Sequence, residues 1–263
     1  MKFISNSILI CDILKSKTPG TPFPCVYEEF GCKNITDMSI VNETLTTMNR
    51  YGYLTFSNDL ITYQSANIEK FQEFYKIRNA IESEYQFLIQ TLRDAFAIGC
   101  FKKVKFTTAI ARPITISSIY NFSSAVAIAI NKVLKDGNGK YNIDILVAKL
   151  GRFLNKYGTV SEQDDLKEKK KKFSAYKKTV DKDIQKFNDF RDELFAHSDN
   201  DSQLKVEQVD DAKAVEIITK CLQYCVECIN VIDDDKIEPK DVEDTAERLK
   251  LEASYFTAQL IRR

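Results

Sequence analysis

Arg191, Asp192 and His197 are the side chains whose types and spacing best suit chemistry on a phosphodiester. Arginine is a permanent cation whose planar fork matches phosphate oxygens. His197 is the one histidine in 263 residues, and histidine is the side chain that exchanges a proton near neutral pH without a large perturbation. Together they supply a base for a ribose 2′-hydroxyl and a cation for the charge that builds on the phosphate it attacks. That reaction would leave a 2′,3′-cyclic phosphate and a 5′-hydroxyl end, and it would spare DNA, which lacks the nucleophile. Asp192 suits orienting a partner side chain better than acting as base beside a histidine.

The spacing sets a structural condition. Six residues of ideal helix put Arg191 and His197 about 9 Å apart along the axis and roughly 120° apart around it, so one helix running through both keeps them apart. Convergence requires the helix to end near Ala196, or a second copy of the chain to bring its own pair. The competing structural reading makes His197 a cap at a helix C-terminus, where the last carbonyls favour a cation, and pairs Arg191 with Asp192 or Asp199. A single histidine also excludes an intrachain three-histidine zinc centre or an H-E-x-x-H helix. No metal-ligand set or cofactor motif is visible, so neither a metal nor a cofactor is expected.

The 38 Lys+Arg and 38 Asp+Glu balance, which argues against a generally polybasic nucleic-acid binder. Any cationic surplus must be local. Residues 167 to 186 hold nine lysines against Glu168, Asp181 and Asp183. Lys178, Lys182 and Lys186 lead from this run toward Arg191 and are the candidate RNA-binding residues. A solvated helix face is the plainer reading of such a run. Its balance lies in acidic stretches such as Asp199 to Asp211 and Asp233 to Asp235.

Composition at 44% hydrophobic and 29% charged predicts a globular chain of one large or two ordinary domains. Seven cysteines without regular spacing argue against a secreted disulfide framework. Cys221, Cys225 and Cys228 fall at i, i+4 and i+7, one side of a helix, and read as packed core thiols rather than as a zinc or redox site. The start, Met1 to Ile4, lacks the features of a signal peptide, because Asn6 and Asp12 interrupt its apolar run and no small-residue cleavage site follows. No stretch reaches the apolar length of a membrane span, and a cytoplasmic location without membrane association is expected.

Turn signals gather in the first 66 residues and between Gly99 and Pro113. In the first 66, Ser5 to Lys15 and Val26 to Phe30 read as short helices, and Thr36 or Asp37 can cap a third that ends near Tyr51-Gly52. Tyr53, Leu54, Phe56 and Leu60, Ile61, Tyr63 flank Ser57-Asn58-Asp59, a hairpin signal. Three helices and a hairpin resemble a winged helix-turn-helix. Residues 1 to 66 nevertheless carry five basic side chains against six acidic ones, so DNA contact is weakly supported and protein pairing is favoured.

From Asn67 the pattern is long and helical. Phe74 to Phe96, Ile119 to Leu134, Ile143 to Leu154, Leu166 to Leu194, Ala212 to Ile232 and Val242 to Ile261 each carry apolar residues at helical spacing. Asp136-Gly137-Asn138-Gly139 is a turn signal. The predicted architecture is mainly α: a winged-helix-like module over 1–66, a helical bundle over 67–235, and a last helix in 236–263 that packs on the bundle or on a dimer partner.

Arg191, five intervening residues and His197 match the R-x(4–6)-H signature of the HEPN superfamily, with Asp192 as the polar residue often found after the arginine. Arg191-Asp192-x-x-x-Ala196-His197-Ser198-Asp199 resembles the abortive-infection U-type branch, where the same ending follows two long helices and a turn like 136–139. The likeness covers roughly residues 67 to 233 in helix order. It implies an antiparallel HEPN-like bundle that forms a homodimer, with both motifs facing one composite cleft. It further implies a metal-independent endoribonuclease of a phage-defence or toxin-type system, acting on RNA and restrained or triggered by an antitoxin or other regulatory protein. Many HEPN domains are non-catalytic, so a nucleic-acid-binding regulator or a dimeric interaction scaffold stands beside the nuclease.

Overall fold

Apolar residues recurring every three or four positions are buried together only when their segment is a helix with one side against its neighbours. The chain is accordingly mainly helical, with one small sheet. The structure, a computed structural model, describes residues 2–103, 111–135, 142–196, 210–233 and 237–261. Two compact units divide the chain, Met1–Ala80 and Ile81–Arg263. The division falls within one long helix, Ser65–Lys102, rather than at the composition boundary near residue 66. Among the described residues no helix is long and apolar enough to cross a membrane.

The first unit runs α1 (Lys2–Ser16), β1 (Thr21–Pro22), α2 (Phe23–Phe30), α3 (Ile35–Arg50), β2 (Leu54–Ser57), β3 (Leu60–Tyr63) and the start of α4 (Ser65–Lys102). Its sheet is antiparallel in the order β1-β3-β2, with Thr21 opposite Ile61 and Leu54 opposite Tyr63. Ser57 pairs with Leu60, so the hairpin turn is the two residues Asn58-Asp59. Both have positive φ, 49° and 63°, as a turn matched to the twist of the strands requires. Ile10, Leu14, Val26, Val41, Leu45, Met48, Ile61, Ile68 and Phe71 form the fully buried core. The Tyr63 hydroxyl donates to the Leu14 carbonyl at 2.5 Å and so fastens β3 to the end of α1.

Asn34, not Thr36 or Asp37, caps α3: its Oδ1 accepts from the Asp37 amide at 2.9 Å. The Asp37 carboxylate reaches back to the Lys33 amide at 2.9 Å, so the acid completes the cap from inside the first turn.

The second unit comprises α4 from Ile81 onward, α5 (Ala111–Leu134), α6 (Ile143–Tyr157), α7 (Val160–Thr179), α8 (Asp181–Ala196), α9 (Asp211–Ile232) and α10 (Pro239–Ile261). α9 buries a broad face that includes Ile217, Ile218, Cys221, Leu222, Cys225 and Val226, and leaves Glu216, Lys220 and Glu227 exposed along one side. Phe173 of α7 stacks on Tyr224 of α9 with ring centroids 4.0 Å apart. α10 runs along α4 in the same direction, through Arg93–Glu252 at 3.5 Å and Cys100–Ser254 at 3.5 Å.

Two sequence expectations are corrected here. Gly99 does not open an interruption, because α4 continues to Lys102. A Cβ there would meet the Asp211 carboxylate at 2.5 Å, so a larger residue would have to displace that side chain, which pairs with Lys102 at 3.0 Å. Pro113 lies inside α5, in its first turn, where a helix tolerates a missing N–H. The second correction concerns the stripe from Leu166 to Leu194, which is two helices meeting at Val180. Val180 leaves helical geometry (φ −103°, ψ 6°) yet stays buried, and its carbonyl accepts from the amides of Asp183 and Ile184. The apolar stripe therefore crosses the break without interruption. The turn signal at 136–139 lies outside the described residues.

Glu84 of α4 is fully buried, and neither carboxylate oxygen has a hydrogen-bond partner among the described residues. Burial pushes its pKa up to about 8, so it sits in the core as a neutral acid at neutral pH. A carboxyl that binds its proton more tightly when folded stabilises the fold below its unfolded pKa, near 4.5, and loses that contribution as pH rises toward 8. Thermal denaturation from pH 5 to 8 should show a falling Tm in the wild type, and Glu84→Gln should remove most of that slope.

Candidate functional site

The candidate site lies on the last two turns of α8. Ile184, Asn188 and Arg191 fall at i, i+4 and i+7 and so share one side of that helix. Ile184 and Asn188 are buried, and they carry Arg191 to the margin of the packed surface, with its side chain 26% exposed. Asp192 points to solvent beside it, and its Oδ1 accepts from Arg191 Nε at 2.9 Å and Nη2 at 2.5 Å. The contact links adjacent residues. It holds the guanidinium by one edge. His197 lies outside the described residues.

Asn188 is a feature that sequence periodicity missed. It occupies a core-facing position where an apolar residue is expected, and its Oδ1 accepts from Asn131 Nδ2 of α5 at 2.5 Å. One turn earlier on α8, Gln185 accepts from Lys135, the residue that follows α5, at 2.5 Å. These bonds fix α8 against α5 and with it the position of Arg191. The signal available in the sequence was an amide on the buried stripe, which demands a partner across the interface.

The three lysine candidates do not form one continuous track. Lys178 ends α7, whereas Lys182 and Lys186 lie on α8 beyond the Val180 junction. Lys182 and Lys186 share a side of α8, but Lys186 and Arg191 are five residues apart and point about 140° from each other around the axis. Lys186 pairs with Asp183 at 3.1 Å, and the described residues offer no carboxylate to Lys178 or Lys182. Four further cations of the run are engaged: Lys167 with Asp164, Lys169 with Asp165, Lys172 with Glu168 and Lys177 with Asp144. The surplus counted along the sequence is thus concentrated in fewer free ammonium groups.

Cys221, Cys225 and Cys228 are buried on α9, and burial pushes all three thiols up, Cys228 to about 12. They are protonated core side chains. Among the described residues no three His, Cys, Asp or Glu side chains come together as a metal site.

No family model matches the chain, and no curated protein or solved structure matches it.

The Asn131–Asn188 bond gives the site a stability test. Asn188→Leu strands the Asn131 amide in a partly buried position and should cost about 1–3 kcal/mol in urea denaturation. The double change Asn131→Leu/Asn188→Leu should recover at least half of that, and strict additivity of the two single changes would show that the pair is not coupled.

Proposed function

We propose that the chain is a metal-independent endoribonuclease acting as a homodimer in the cytoplasm, within a phage-defence or toxin-type system. The observation that carries this reading is Arg191, held by Asp192 at the edge of the α8 packing surface six residues before the only histidine of the sequence. In this reading Arg191 stabilises the charge on the scissile phosphate and His197 takes the proton of the 2′-hydroxyl. Asp192 acts through Arg191 as a positioning residue. Two-fold pairing in an HEPN-like arrangement would bring a second histidine to serve as general acid. Lys178 and Lys182 are the exposed cations open to the strand, and Lys186 joins them when its pairing with Asp183 loosens. An antitoxin or other regulatory protein would restrain the activity.

A second reading draws on the first unit. Its order α-β-α-α-β-β with a β2–β3 wing supports the winged-helix likeness. Its third helix exposes Ile35 and Met38 rather than a row of bases. Apolar side chains there suit a protein partner better than a phosphate backbone, and on this reading the chain is a regulator that docks through residues 1 to 66.

Incubating mixed RNA with wild type, Arg191→Ala and His197→Ala in EDTA separates the two. Cleavage to 2′,3′-cyclic phosphate ends by the wild type, with at least a hundredfold loss in each variant, is the expected result. Equal cleavage by all three, or none by the wild type, would sink the nuclease reading. An otherwise identical strand with 2′-deoxy sugars should stay intact.

A further inference from the structure

α6 and α7 are joined by Gly158 and Thr159 and form a helical hairpin, with an open cleft of about 320 Å³ between them. Val147, Leu154 and Leu166 are its buried apolar floor. Arg152 from α6 and Lys167 and Lys170 from α7 stand on its rim. All three are exposed, and among the described residues neither Arg152 nor Lys170 meets a carboxylate. Gly151 opens the wall: a Cβ there would touch only Leu166 Cδ2, at 3.8 Å.

The charge on α7 is sorted by face. Gln163, Lys167, Lys170, Ser174 and Lys178 follow one another at three- and four-residue steps and form one stripe along the cleft side. Asp165 and Glu168 lie away from that stripe and pair with Lys169 and Lys172. Asp164 is the one acid that reaches a rim cation, bonding Lys167 at 2.9 Å. The stripe from Lys167 to Lys178 extends roughly 16 Å along the helix axis. A compact anion would use only the rim cations, whereas a row of this length matches several successive phosphates of an extended chain. No aromatic side chain lines the cleft, so it offers charge without a stacking surface for a base.

We infer that the α6–α7 cleft is a phosphate-binding track for single-stranded RNA, with Arg152, Lys167 and Lys170 contacting successive phosphates and Lys178 extending the track. The phosphate chemistry comes from the cleft; the identification of the strand as RNA rests on the nuclease reading. The track is separate from Arg191, which lies on another helix and binds no cleft-lining residue among those described.

Fluorescence anisotropy with a labelled 2′-O-methyl oligouridylate reads binding without cutting. Lys167→Ala/Lys170→Ala should weaken binding about tenfold and reduce the slope of log affinity against log salt by about 1.4, the value for two phosphate contacts on a single strand. Lys169→Ala/Lys172→Ala carries the same charge change on the other side of the helix and should lose less than threefold. Gly151→Leu keeps every charge but fills the cleft, and should weaken binding as the first pair does. Equal losses from both lysine pairs, an unaffected Gly151→Leu variant, or no binding by the wild type would overturn the track. Displacement of the strand by micromolar nucleoside triphosphate would reassign the cleft to a free nucleotide and overturn it too. Cutting of the unmodified strand is scored separately. Wild-type cleavage with unaffected cleft variants removes the track alone, and binding through the cleft without cleavage removes the nuclease reading alone.

Discussion

A helix that buries a broad apolar face along its whole length has to be covered there, and α9 imposes that requirement on the whole second unit. Glu216, Lys220 and Glu227 keep one narrow side of it in water, and α4, α7 and α10 cover the apolar remainder. The Phe173–Tyr224 stack seats α7, and Asp211 at the head of α9 receives Lys102 from the end of α4. Glu84 is a by-product of the same enclosure. It faces Cys221 and Cys225, where water cannot follow, and it keeps its proton because nothing there stabilises the anion.

The candidate site depends on that enclosure at one remove. α8 is held by α5 and by the Val180 junction with α7, and neither attachment uses a residue of the Arg191 group. The scaffold therefore sets where Arg191 stands, while the Asp192 contact sets how its guanidinium is turned. Charge on the neighbouring helices is arranged by a different rule. Acids at i−3 and i−4 engage part of the lysines, so the exposed field comes from the few that remain.

The hairpin was legible because its turn must adopt positive φ, which Asn and Asp tolerate, although Ser57, read as part of the turn, closes β2 instead. The long helices were legible because burial of one stripe leaves a period in the sequence. Three features escaped. The Val180 break carries no Pro or Gly and the stripe stays in register across it, so the acids Asp181 and Asp183 at the start of α8 are its one trace. Gly99 was read as a breaker although it serves a close approach, which depends on Asp211, over a hundred positions away along the chain. Asn188 lies on the buried stripe because Asn131, on another helix, supplies its partner, and that pairing leaves no period in the sequence. At the site itself, the Arg191 and Asp192 pairing was among the contacts the sequence suggested, whereas the sorting of lysines into paired and free groups depends on side-chain reach and could not be counted along the chain.

The link between α6 and α7 bears on the order of folding. Gly158 accommodates the Leu154 side chain and carbonyl, which a Cβ would meet at 2.7 and 2.8 Å. Thr159 and Glu162 close a reciprocal cap on the next helix, and Gln163 bonds back to the Leu154 carbonyl at 3.1 Å. All of these contacts join residues close in sequence, so little chain entropy is lost in forming them. Contacts of this range form early, before distant segments meet. The α6–α7 hairpin is thus equipped to take shape on its own timescale, ahead of the assembly that surrounds α9.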